Sequence, residues 1–327
     1  MTSSSVSVIL CNYNQEAYLE GAIASVLSQT HRDLELIIID NGSTDGSQVL
    51  LKRYEADPRI RLLLHGQNES VNRRINEAIA LSSGQFISLL PADDYYLPHK
   101  LERQLREFST LPADYGVVYS PGYRLSVATG EQWIEPCLKQ SGDILADILR
   151  RFFSEGFIHP IAPLARRECF NRYAFHDDIF FEGESIYLRI ALTYKFRYVD
   201  EPLTVMREHD SNMGKVIKKN AASTLVLLDR LPYEPGFPPH LAPLLQTFRT
   251  TLLVNWSWLG IRMAADPAWT RGLLMAAFRA QPTQLLRLRP LAALLLSMFP
   301  VSAILTFNRA MNALRNHKET IAFKAEY

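Results

Sequence analysis

Gly84-Gln85-Phe86-Ile87-Ser88-Leu89-Leu90-Pro91-Ala92-Asp93-Asp94 carries more of this chain's architecture than any other run. Phe86 to Leu90 is a short apolar segment with glycine before it and proline after it, which predicts a strand buried on both faces. It delivers two adjacent carboxylates, groups that are costly to take out of water without a compensating cation. In open α/β sheets, ligands bind beyond the carboxyl ends of the strands. The simplest expectation is a metal site that holds a phosphorylated ligand.

On the N-terminal side of this run, strands and helices alternate. Val6–Leu10 and Leu34–Ile39 are apolar strands, each followed by a polar loop: Cys11-Asn12-Tyr13-Asn14-Gln15-Glu16 and Asp40-Asn41-Gly42-Ser43-Thr44-Asp45-Gly46-Ser47. Leu19, Ile23, Val26 and Leu27 fall at helical spacing between them, and Val71, Ile75, Ala78 and Ile79 do so between a third strand at Ile60–Leu64 and Phe86. This pattern predicts an α/β fold with a mostly parallel sheet flanked by helices. Beyond a helix over Pro98–Leu111 the alternation weakens, with strands expected near 116–120, 163–166, 196–199 and 203–207 and helices over 143–153 and 184–195. After a Pro-rich linker at Leu231–Pro243 every segment reads as helix. The expected domains are 1–212 and a helical C-terminal extension, 213–327.

Composition narrows the function. Thirty-five basic residues against 34 acidic give no overall attraction to nucleic acid, so no nucleic-acid partner is expected. Cys11, Cys137 and Cys169 are widely spaced, which fits neither a disulfide framework nor a zinc site and suits a reducing cytosol. Met1-Thr2-Ser3-Ser4-Ser5 has no basic n-region, so no signal peptide is expected. No GxGxxG follows the first strand, which argues against a dinucleotide site.

From Asp266 onward the charges are mostly arginine, and Leu291–Phe307 is uncharged but broken by Pro300, short of the roughly 20 residues a spanning helix needs. Two roles are open to the tail: helices that pack on the first domain, or an amphipathic attachment with Arg287 and Arg289 at anionic headgroups. Homo-oligomer contact is a third. The expected location is cytoplasmic, with peripheral contact at the cytoplasmic face of the membrane.

Val6-Ser7-Val8-Ile9-Leu10-Cys11-Asn12-Tyr13-Asn14, the Ile39–Asp45 turn and the Asp93-Asp94 loop together resemble the family 2 glycosyltransferases over about Val6–Asn212. The resemblance implies a GT-A fold and an inverting enzyme using a nucleotide-diphosphate sugar, here a UDP-sugar, with Mg²⁺ or Mn²⁺. It implies a glycan or lipid-linked acceptor of cell-surface polysaccharide assembly. By the same resemblance Asn12, Tyr13, Asn14 and Glu16 line a nucleoside pocket, and Asp40 accepts a hydrogen bond from a uracil-like imide N–H. In the family's Asp-x-Asp-Asp pattern, Asp93 matches the metal-binding position and Asp94 the residue after it, while Pro91 replaces the ribose-binding aspartate. Asn76 matches the Asn of an Arg-Asn pair facing the donor. Ile75 replaces its Arg, leaving Arg74 or Arg73 to reach the phosphates.

An inverting transfer also needs a carboxylate to take the acceptor's proton, an effect of roughly 10²–10⁴ in rate. The family places it in a Glu-Asp pair opening a helix; here Glu182-Gly183-Glu184 puts Gly183 at the Asp position. Glu184 is the expected base, with Glu182 second. His209, in Arg207-Glu208-His209, matches a segment that returns to the donor diphosphate and is expected at the metal or phosphate. His159 is a weaker candidate for acceptor contact and reads better as a structural residue. Pro91 and Gly183 also leave open a non-catalytic sugar-nucleotide-binding or scaffold protein that keeps the fold.

Overall fold

The computed structural model describes residues 5–263 and 265–316, without the side chains of Met213 and 312–316. The chain divides into two compact units, the first ending at Phe237 and the second beginning at Pro238.

The first unit opens with β1 (Val6–Asn12), α1 (Glu16–Leu27), β2 (Leu34–Asp40), α2 (Ser47–Leu51), β3 (Ile60–Leu64), α3 (Val71–Leu81) and β4 (Phe86–Pro91). It continues with β5 (Tyr95–Tyr96), α4 (Lys100–Phe108), β6 (Tyr115–Tyr119), β7 (Tyr123–Ser126), β8 (Gln132–Ile134) and α5 (Leu145–Glu155). Then come β9 (Leu164–Arg166), α6 (Arg167–Arg172), α7 (Ile186–Ile190), β10 (Lys195–Tyr198), β11 (Thr204–Glu208) and α8 (Ile217–Arg230).

Seven strands form the main sheet in the order β10-β6-β9-β4-β1-β2-β3. β1 lies in its interior, between β4 and β2, and Val6, Val8, Ile9 and Leu10 are all buried, as a strand covered on both faces requires. It pairs in parallel with β2 and β4, in registers that set Asn12 opposite Asp40 and Cys11 opposite Pro91. The loops after β1, β2 and β4 therefore leave the sheet at one edge. Leu19, Ala22, Ile23 and Val26 of α1 pack into the same core as Phe86, Leu90 and Leu101. β9 runs antiparallel between β4 and β6, so the sheet is mixed.

A second sheet has the order β5-β11-β7-β8. Its short, half-exposed strands β5, β7 and β8 lack the apolar runs that make strands legible. The helix expected from Glu184 is a 3₁₀ turn at Gly183–Ser185 followed by the short α7. The first unit also runs past Asn212, because α8 and the turn after it are tied back to the segment before α7. Phe181 N donates to Ser223 Oγ at 3.4 Å, Arg230 makes a forked contact with Asp178, and Arg189 Nε donates to Glu234 at 2.8 Å.

The second unit is helical, as its sequence predicts: α9 (Ala242–Arg262), α10 (Pro267–Ala280), α11 (Leu288–Leu296) and α12 (Val301–Asn316). Ile261, Leu274, Phe278, Ala293 and Ile304 make its core. Asp266 caps α10 by accepting from Trp269 N at 2.9 Å. Among the described residues, no helix is long and apolar enough to cross a membrane.

Candidate active site

The loops after β1 and β2 are zipped together by side chains that hold backbone groups. Asn14 Oδ1 accepts from Thr44 N at 2.7 Å, and Asn14 N donates to Ser43 Oγ at 2.9 Å. Glu16 and Asp45 reciprocate: Glu16 N donates to Asp45 Oδ2 and Gly46 N to Glu16 Oε2, both at 3.0 Å. Gly42 turns at φ +75°, and a Cβ there would lie 2.4 Å from the Gln67 carbonyl carbon. Tyr13 is left exposed at the rim.

Asp40 is engaged by the protein's own donors. Its buried carboxylate already accepts four hydrogen bonds, from Asn12 Nδ2 and Ser43 Oγ on one oxygen and from Ser43 N and Gln48 Nε2 on the other. A carboxylate has about four acceptor positions, so a base N–H would have to displace one of these donors. Asp40 and Asn12 thus brace the two loops from their buried side, while Tyr13 and Asn14 are exposed.

The Asp93-Asp94 turn is built against the end of β11 and the residues that follow it. Arg207 N donates to Asp94 Oδ1 at 2.8 Å, and Arg207 Nη1 donates to the Asp93 carbonyl at 2.8 Å. Burial, followed by the neighbouring Asp93 charge, pushes the Asp94 carboxyl well above the usual range. The same segment returns His209 to Asp93, with Nε2 3.1 Å from Asp93 Oδ2. The ring is stacked on Tyr18 with centroids 5.0 Å apart, and Asn212 Nδ2 lies 3.2 Å from the same carboxylate oxygen.

These residues fit a divalent ion. Carboxylate and imidazole suit Mn²⁺, and carboxylate suits Mg²⁺. With Nδ1 bonded to Ser211 Oγ at 2.8 Å, His209 can turn the lone pair of Nε2 toward Asp93. Two acceptors so close need a proton or cation between them, and cis ligands of an octahedral ion with bonds of about 2.1 Å lie about 3 Å apart. Among the described residues no third His, Cys, Asp or Glu completes such a group, so the remaining ligands would be substrate oxygens and water.

The two base candidates separate cleanly. Glu182 is buried, with one oxygen paired to Arg189 Nη1 at 3.1 Å and the other accepting from His176 N at 2.7 Å. Both of its oxygens are thus engaged within the protein. Glu184 is half-buried, and desolvation raises its carboxyl pKa, with further effects from Glu135 (raising) and Arg124 (lowering). Gly183 between them has φ +51°, and a Cβ there would meet the Phe181 ring at 2.4 Å, so a family-type Asp does not fit that position without rearrangement.

Motif reading missed Arg124. The registers of β7 with β8 and β11 set it beside Trp133 and Met206 on one face of the small sheet. Its Nη2 donates to Glu135 Oε1 at 2.9 Å, and it is held cationic by Glu135, Glu208 and Asp94. It therefore links the Asp94 and Glu184 sides of the site electrostatically. His159 is packed against Glu135 and Thr204, and burial lowers its pKa to about 3, so it is a neutral structural residue. An open cleft of ≈ 430 Å³, lined in part by Trp133, Glu131 and Glu208, reaches His209.

Arg74 and Asn76 are not available as expected. Asn76 spends both ends of its amide on Phe175, donating to the carbonyl at 2.8 Å and accepting from N at 2.9 Å. Arg74 pairs with Glu69 and Glu77, each at 3.2 Å. The amide of Asn72, which sequence reading passed over, holds the same segment through His176 O and Glu182 N.

The family model described as Glycosyl transferase family 2 matches residues 7–173. TuaG of Bacillus subtilis, named for a glycosyltransferase of teichuronic acid biosynthesis, is 39% identical over 101 residues, 31% of this chain and 40% of TuaG. WfgD of Escherichia coli, a UDP-Glc:α-D-GlcNAc-diphosphoundecaprenol β-1,3-glucosyltransferase by name, is 35% identical over 100 residues, 31% of this chain and 39% of WfgD. The matched segment thus spans about two fifths of these relatives. Among solved structures, Staphylococcus aureus TarS 1–349 with UDP-GlcNAc aligns at TM-score 0.65 and 14% identity, covering 97% of this chain and 93% of that one. The mannosyltransferase PcManGT of Pyrobaculum calidifontis, with GDP-Man and Mn²⁺, aligns at 0.58 and 18% identity, covering 93% and 86%. The fold is that of the GT-A glycosyltransferases.

Proposed function

We propose that this chain, which belongs to glycosyl transferase family 2, moves a sugar from a nucleotide-diphosphate donor to a hydroxyl of a glycan or lipid-linked acceptor. The observation that carries this is the meeting of Asp93 and His209, 3.1 Å apart, at the sheet edge where the β1, β2 and β4 loops emerge. A UDP-sugar is favoured because WfgD is named for one and TarS binds one. Acceptors of cell-surface polysaccharide assembly are favoured by the names of TuaG and WfgD.

Tyr13 and Asn14 receive the nucleoside, and Asp40, Asn12 and the Glu16–Asp45 pair hold their loops in place. Asp93 and His209 would hold Mg²⁺ or Mn²⁺, which supplies charge stabilisation to the leaving diphosphate. Asp94 positions Arg207 through its backbone N–H. The acceptor approaches through the cleft by Trp133, and Glu184 takes its hydroxyl proton. The hydroxyl oxygen bonds to the anomeric carbon as the bond to the diphosphate breaks, giving inversion. The raised pKa of Glu184 makes it a stronger base than an exposed glutamate.

Release of nucleotide diphosphate from a donor panel with Mg²⁺ or Mn²⁺, with and without acceptor glycans, tests the proposal. Donor binding without release under any of these conditions would favour the non-catalytic reading, which the glycine at 183 supports.

A further inference from the structure

Helix α11 is built inside out. Leu288, Leu291, Ala292 and Leu295 follow i, i+3, i+4, i+7 spacing and share one face, and that face is open at both ends: Leu288 is 87% exposed and Leu295 60%, with Leu291 and Ala292 partly buried between them. The buried side holds Pro290, Ala293 and, one residue past the helix, Ser297. A helix on a water-facing surface has the opposite arrangement. The apolar exposure continues at both ends of the helix, with Leu286 at 85%, Met298 at 73% and Phe299 at 56%. None of these exposed side chains belongs to the core of Ile261, Leu274, Phe278, Ala293 and Ile304. Contiguous apolar surface of this kind marks an interaction site.

The charges choose the partner. From Arg271 to Arg315 every charged side chain is an arginine, and Arg287 lies exposed between Leu286 and Leu288. The one carboxylate between Ala242 and Asn316 is Asp266, already engaged as the cap of α10. Two copies of this face brought together would set arginine against arginine with no acidic side chain from these helices to answer them. Anionic headgroups above acyl chains answer both the arginines and the leucines.

We infer that the α11 face docks on an anionic bilayer surface, with Leu286, Leu288 and Leu295 entering the interface and Arg287 at the headgroups. The helix lies in the plane of the surface; nine residues are too few to span it. None of these residues is among those proposed to hold the donor.

Flotation of the full chain with vesicles of phosphatidylcholine alone, or mixed equally with phosphatidylglycerol, tests the inference. The expected result is binding to the anionic vesicles that weakens with salt and is much poorer on phosphatidylcholine. Leu288→Ser/Leu295→Ser should lower it by about tenfold or more, since the removed surface is apolar. Arg287→Glu should lower it about fivefold or more, because each basic residue near such a surface contributes about that factor. Both variants should keep wild-type thermal unfolding and nucleotide diphosphate release. If the leucine pair disturbs unfolding, Leu286→Ser in the preceding turn repeats the test. Absence of flotation, or flotation unchanged in the variants, overturns the inference. So does light scattering that shows a dimer dissociated by Leu288→Ser/Leu295→Ser, which would make a second copy the occupant.

Discussion

In the proposed reaction Asp93 and Glu184 have separate roles, so their substitutions should fail differently. Asp93→Ala removes the carboxylate facing His209, so metal-dependent donor binding should be lost; isothermal titration of donor with and without Mn²⁺ reads it. Unchanged metal dependence would move the ion elsewhere. Glu184→Gln should lower kcat by about 10²–10⁴ while leaving donor affinity nearly intact. The same substitution makes a stability prediction. Burial raises the folded-state pKa of Glu184 above its ordinary 4.5, so the folded protein holds that proton more tightly than the unfolded chain. Its contribution is favourable below the ordinary value and is lost as pH rises through the folded pKa. Gln mimics the protonated form, so Glu184→Gln should unfold at higher temperature than wild type at pH 7, with the difference vanishing below pH 4.5. Thermal scans across pH check the sign, and equal melting at pH 7 would show that the carboxylate is well solvated.

The segment from Phe175 to Glu182 is held from outside rather than by its own secondary structure. Asn72 and Asn76 on α3 clip its backbone, and Glu182 with Arg189 closes it from within. Asn76→Ala should therefore cost about 1–3 kcal/mol by urea unfolding, the price of stranding buried backbone groups, with donor affinity little changed. A fall in donor affinity at unchanged stability would return Asn76 to the donor site. Gly183→Asp, which restores the family's acidic residue, should lower stability by about 1–2 kcal/mol or more, because φ +51° disfavours a side chain and the Phe181 ring fills its space. Activity should not rise. A higher kcat would show that position 183 reaches the acceptor after all.

Across the whole molecule, the two units make separate predictions. A chain truncated after Phe237 keeps the packing partners of α8 and should retain metal-dependent donor binding while losing vesicle flotation. Truncation after Asn212 removes Ser223, Arg230 and Glu234, which hold the segment before α7, and should melt well below the longer chain in a thermal scan. Equal melting of the two would place the end of the catalytic unit at Asn212.

Much of this was legible in the linear order of residues. Continuous apolar runs at Val6, Leu34 and Phe86 can be satisfied only by strands covered on both faces, and the polar loops behind them must then gather at one sheet edge. The two polar loops, the Asp93-Asp94 turn and the helical second unit follow from that local patterning. Which polar groups remain free for chemistry did not. Asp40, Glu182, Arg74 and Asn76 have the right residue types, yet each is consumed by partners about 30 to 100 residues away or by neighbours across a turn. Arg124 and Trp133 reach the site through strand registers that leave no periodic trace. Backbone conformation follows from local sequence, but the availability of a hydrogen-bonding group depends on partners that long-range packing supplies.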